Sequence, residues 1–163
     1  MVKERIRDWV IENRKPKQPG KMPTNILYYR DGVSGAQYEQ VRDVELPEIR
    51  AAYTEIFQEA IDQKIVAETS VTGVNLTAIV AAKRHRVRFY PVPPKDQDQI
   101  NSGNCTPGTF LEHVVTSPYF QDLYMQSRAA IKGAARPAHY FIVQEEMGKS
   151  VDFYRKLASL TCT

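Results

Sequence analysis

The 163 residues are 42% hydrophobic and 25% charged, the make-up of an ordinary soluble chain able to bury one core, and a formal net charge of +3 permits a nucleic-acid partner without demanding one. Two cysteines, Cys105 and Cys162, are too few and too far apart for a disulfide framework or a zinc site, so an intracellular, reducing compartment fits best: the cytoplasm, with the nucleus also open. Lys3, Glu4, Arg5, Arg7 and Asp8 leave no apolar signal core at the start, and no apolar run approaches the ~18 residues of a membrane span.

Val2, Ile6, Trp9 and Val10 recur at intervals of three and four, which predicts an amphipathic helix from Met1 to about Asn13. Arg14 to Thr24, with three prolines and four positive charges, cannot prolong that helix and is expected to be an exposed connector. Asn25 to Arg30 is apolar and aromatic and reads as a short buried strand. From Ser34 to about Lys64 the residues Tyr38, Val41, Ile49, Tyr53, Ile56, Phe57 and Ala60 keep helical spacing, with Pro47 expected to divide or kink the helix. Val74 to Arg88 reads as a central strand with a basic exit, and Pro91 to Pro107 as a long, partly mobile loop. Thr109–Thr116, Leu123–Arg128 and His139–Gln144 read as strands, the last two forming a hairpin with a basic tip, and helical spacing resumes from Ser150 to Cys162. Parallel-type and antiparallel-type segments in this order predict one α/β domain, a mixed sheet with helices packed on it.

The strand at Asn25 stops abruptly at Asp31-Gly32, and Ser34 can cap the helical run beyond it. An acid delivered to the carboxyl end of a strand is placed to meet a metal or a substrate, although Asp-Gly there is also ordinary turn chemistry. Lys83, Arg84, Arg86 and Arg88 put four cations and His85 within six residues with no acid among them, a density that favours phosphate; the bland alternative is a strand edge protected by charge. Five residues apart on a straight strand, Lys83 and Arg88 would point to opposite faces, so a bend or a strand end between them is required. Arg128, Lys132 and Arg136 form a second basic group, for which a flexible basic loop is the alternative. Glu39, Asp43, Glu45 and Glu48 read as a solvated helix face, Glu145 and Glu146 as a turn, and the aromatic residues Tyr28, Tyr29, Phe89, Tyr90, Tyr119, Phe120, Tyr124, Tyr140 and Phe141 as core rather than base-stacking platforms. His85, His113 and His139 are expected in surface or core roles.

The string Tyr29-Arg30-Asp31-Gly32-Val33-Ser34-Gly35, with Gln37-Tyr38 and Glu45-Leu46-Pro47-Glu48-Ile49-Arg50 after it, closely resembles the PIWI domain of eukaryotic Argonaute proteins. Ile79-Val80-Ala81-Ala82-Lys83-Arg84-His85, Thr116-Ser117-Pro118 and Gly133-Ala134-Ala135-Arg136-Pro137-Ala138-His139-Tyr140 come next, in the same order as that family's segments. The resemblance implies a ribonuclease-H-like fold, here incomplete: residues 1–163 are expected to be the C-terminal part of a PIWI domain without the family's first strands or its end. It also implies a role in RNA silencing, with guide and target RNA and the remaining Argonaute domains as partners. In the complete protein it implies metal-dependent RNA cleavage, using Mg2+ or Mn2+ held by two aspartates, a glutamate and a histidine or third aspartate. Asp31 is the one position here that matches that set, so this chain alone is expected neither to hold the metals stably nor to cleave. Lys83, Arg88, Arg128 and Arg136 match positions turned toward the guide backbone, Arg128 standing where the family commonly has histidine. A non-catalytic nucleic-acid-binding or interaction module, and more remotely a small-molecule-binding α/β domain, are the alternatives.

Overall fold

The computed structural model describes residues 1–14, 20–67, 73–92, 103–113, 115–128 and 133–161. Strands β1 (Asn25–Asp31), β2 (Asn75–Ala82), β3 (Phe110–Leu111), β4 (Asp122–Met125) and β5 (Ala138–Gln144) form one open mixed sheet in the order β1-β2-β5-β4-β3. Helices α1 (Val2–Glu12), α2 (Tyr38–Gln40), α3 (Leu46–Asp62) and α4 (Val151–Thr161) pack around it. β1 and β2 run parallel, with Asp31 level with Ala81, and every other pairing is antiparallel. A parallel pair needs a long crossover, which the helical run from Gly35 to Asp62 supplies.

β2 lies between β1 and β5, and Leu76, Thr77, Ala78 and Val80 have no exposed surface. One sheet face places Ile79, Leu123, Met125, Tyr140 and Ile142 against Tyr154 and Ala158 of α4. On the other, Val80 meets Val33 and Val41, while Ile6 and Val10 of α1 pack with Tyr53, Ile56, Phe57 and Ala60 of α3. Fully burying each such side chain is worth about 1.5–3 kcal/mol, so helical periodicity and β-rich runs translate directly into these layers. No helix among the described residues is long and apolar enough to cross a membrane.

Pro47 does not divide the helix. Leu46 donates its N–H to Val41 O, five residues back, in a π turn spanning Val41–Glu45, so the run absorbs a proline that has no N–H and would crowd the preceding turn. The connector before β1 is exposed only in part: residues 15–19 lie outside the described residues, but Met22 is buried and Gly20 donates its N–H to Ile65 O at 2.7 Å. A Cβ on Gly20 would lie 3.0 Å from that same oxygen, which explains the glycine. The strand expected over Thr109–Thr116 shrinks to Phe110–Leu111, because side chains turn the segment after it: Thr116 Oγ1 donates to Glu112 O (2.8 Å) and Asp122 Oδ1 accepts the Ser117 N–H (2.9 Å). β4 and β5 do form the antiparallel hairpin, and β2 ends at Ala82, before the basic residues.

Glu145 and Glu146 are more than a turn. Glu146 accepts the Leu76 N–H at the start of β2 (2.9 Å) and pairs with Arg50 of α3, while Glu145 accepts the Tyr154 hydroxyl (2.6 Å). Burial alone would raise the Glu146 pKa; the Leu76 N–H, Arg50 and Gln144 outweigh it and hold the carboxyl below its usual range.

Candidate nucleic-acid interface

The carboxyl ends of β1, β2 and β4 and the start of β5 all face one end of the sheet, and every candidate residue sits at or just beyond it. Asp31 closes β1 and is exposed, followed by Gly32 at φ +80°, which turns the chain. Its backbone is held: Arg30 Nη1 donates to Asp31 O (2.8 Å), and Arg30 Nε pairs with Glu45 (3.2 Å). Glu45 also accepts the Tyr28 hydroxyl at 2.7 Å, so it is a half-buried acceptor and not a solvated face. Burial and then that bond push the Tyr28 pKa up to about 12, which keeps the phenol a donor. Among the described residues no three His, Cys, Asp or Glu side chains come together to hold a metal ion. A two-metal centre needs several hard oxygen donors, and the donor set described here does not fit one.

Past the end of β2, Lys83, Arg84 and Arg86 are exposed. Arg88 folds back on its own segment, Nη1 donating to Val87 O (2.7 Å) and to His85 O (3.2 Å). Strand end and backfold together remove the obstacle of opposite faces. The planar guanidinium carries five N–H donors, so others remain for an anion.

His85 is unlike its neighbours. Its ring is half-buried, edge-on to Tyr124 at 5.1 Å, and Tyr124 stacks on His139 at 4.1 Å. His139 Nε2 lies 2.6 Å from Oδ2 of the buried Asp122. Burial lowers the His85 pKa, the bond to Pro137 opposes it, and His139 and Arg88 add to the lowering. Arg128 and Arg136 are exposed at the hairpin end; Lys132 lies outside the described residues. Of the aromatic residues, Phe89, Tyr124 and Tyr140 are buried as expected, whereas Tyr90, Tyr119 and Phe120 are exposed. Sequence reasoning missed His85, Asn104 and Asp122 as organising residues. A histidine in a basic run looks like one more cation, and an asparagine in a loop carries no periodic signal.

The Piwi domain family model matches residues 1–163. Protein argonaute 5 of Arabidopsis thaliana is 32% identical over 158 residues, covering 96% of this chain and 14% of the relative. The C-terminal lobe of a budding yeast Argonaute superposes with a TM-score of 0.79 at 28% identity, covering 95% of this chain and 30% of that one. Kluyveromyces polysporus Argonaute with a guide RNA gives the same TM-score, 0.79, at 28% identity, over 96% of this chain and 18% of that one. The chain thus corresponds to a small share of the length of the proteins it matches.

Proposed function

Because this chain belongs to the Piwi domain family, matched over residues 1–163, we propose that it binds the sugar–phosphate backbone of RNA as part of an Argonaute lobe, seating a guide strand and its target. The observation that carries this reading is the placement of Lys83 and Arg88, past the end of β2, at the same end of the sheet as Arg128 and Arg136, which flank the β4–β5 connection. A solved relative holds a guide RNA, which supports RNA as the ligand class. The remaining domains of a longer Argonaute are the protein partners proposed.

The chemistry is positional. Lysine offers a compact point charge and arginine a flat fork of donors matched to phosphate oxygens, so together they hold register along a backbone without reading bases. Sequence choice falls to pairing between guide and target. Asp31 contributes one exposed carboxylate at the same end; with the donor set described above, no cleavage step is assigned to this chain.

Titrating a single-stranded RNA at several salt concentrations tests the reading. Four neutralised phosphates predict a log–log slope of roughly −3, from about −0.7 per contact. Removing Lys83 and Arg88 together should flatten it by ~1 to 1.5, whatever the RNA sequence. An unchanged slope in the double variant would place RNA binding elsewhere.

A further inference from the structure

Arg136 is exposed, yet both of its chain neighbours are tied down. On one side the buried Ala135 donates its N–H to Asn104 Oδ1 (2.6 Å), and Asn104 Nδ2 donates to Gly133 O (2.9 Å). On the other, Pro137 O lies 2.8 Å from His85 Nε2. A carbonyl oxygen only accepts, so Nε2 carries the imidazole proton. Nδ1 is then the bare nitrogen of a neutral ring; it is buried and has no hydrogen-bond partner among the described residues. A second proton there would find no acceptor, which makes His85 a fixed donor and not a fifth cation of the run.

The same residue faces the other way through its backbone, since His85 O accepts from Arg88 Nη1 (3.2 Å). Its ring cannot swing freely, being seated edge-on against Tyr124, which is stacked on the His139 held by Asp122. One residue thereby fixes the backbone beside Arg136 through its ring, and its carbonyl joins that of Val87 (2.7 Å) in holding the guanidinium of Arg88. Two cations held at a set spacing lose less freedom when an anion arrives than two on loose loops.

We propose that His85, together with Asn104, is a positioning residue that holds Arg136 and Arg88 as a preorganised pair for neighbouring phosphates of one RNA strand. This rests on the RNA-backbone function proposed above.

The test is a double-mutant cycle on the 163-residue chain, read as the salt slope for a single-stranded uridine oligonucleotide. In the unaltered chain Arg136→Ala should flatten the slope by ~0.7, one contact. In a His85→Leu background the same change should flatten it by much less, because Arg136 is no longer aimed. His85→Gln, which keeps an N–H donor at the ε position, should restore the full Arg136 effect. The cycle is repeated with His85→Asn, whose amide stops short of Pro137 O, so that loss of folding in the leucine variant leaves the answer intact. An undiminished Arg136→Ala effect in the leucine and asparagine backgrounds overturns the positioning role while leaving the RNA-backbone function standing. No salt-dependent binding by the unaltered chain, or none that responds to Arg136→Ala, defeats the function proposed for this site and the positioning role with it.

Discussion

His85 shows how burial redirects a side chain set between two arginines in the chain. Its pKa in the folded chain is depressed from 6.5 by burial first, against the opposing bond to Pro137. The unfolded chain therefore takes up the proton before the folded one, so this residue's contribution to stability is complete above the unfolded pKa and shrinks as the pH falls below it. Thermal melts from about pH 7.5 down to about pH 5.5 should show a declining midpoint whose slope is smaller in His85→Gln. Equal slopes in the two chains would mean that the ring protonates as easily folded as unfolded. Arg88 and Glu45 make a related point: each is charged, and each is engaged by groups of its own or a neighbouring segment rather than standing in solvent.

Among the elements, the β4–β5 hairpin carries the second basic group and is held from inside by a buried acid. Asp122 accepts from Ser117 N–H and pairs with His139, with its side chain 3% exposed. Asp122→Ala strips both partners of their acceptor, and leaving these half-buried donors unmet costs about 1–3 kcal/mol. Chemical denaturation should show that loss, and amide exchange should show it concentrated in β4, β5 and the loop before β4. A loss under ~0.5 kcal/mol would mean that water replaces the carboxylate at little cost. The helical run offers the contrasting case, since the proline that was expected to divide or kink it does not divide it and follows one wider turn.

For the molecule as a whole, the sheet is open, with β1 at one edge and β3 at the other. β1 is half-buried from Ile26 to Arg30 and apolar or aromatic from Ile26 to Tyr29, and an edge strand with unpaired backbone groups invites pairing with another chain. The purified chain is expected to self-associate with rising concentration in sedimentation velocity; a concentration-independent monomer melting cooperatively above ~55 °C would contradict this. Incubated with guide, labelled target and Mg2+ or Mn2+, it is expected to leave the target uncut, because the described donor set does not fit a two-metal centre. Single-site cleavage abolished by Asp31→Ala would overturn that expectation.

The helices α1, α3 and α4, the strands β1, β2, β4 and β5, and the position of Asp31 at a strand end were legible in the amino-acid order alone, because periodicity and the Asp-Gly stop are local signals. Family membership was legible for a similar reason: short blocks such as Tyr29-Arg30-Asp31-Gly32 keep their order along the chain. The length of β3, the π turn before Pro47, the buried end of the connector at Gly20 and Met22, and the capping roles of Glu145 and Glu146 were not legible. Each depends on a partner far away in the chain or on local side-chain bonds competing with the ladder, as when Leu76 N–H meets Glu146 or Gly20 N–H meets Ile65 O. The basic residues could be counted from the sequence, but how they are held could not. His85 meets Pro137, and Asn104 meets Ala135, only after β2 docks beside β5 and the loop before β3 closes on the hairpin, and no pattern of near neighbours encodes a hydrogen bond made across such distances in the chain.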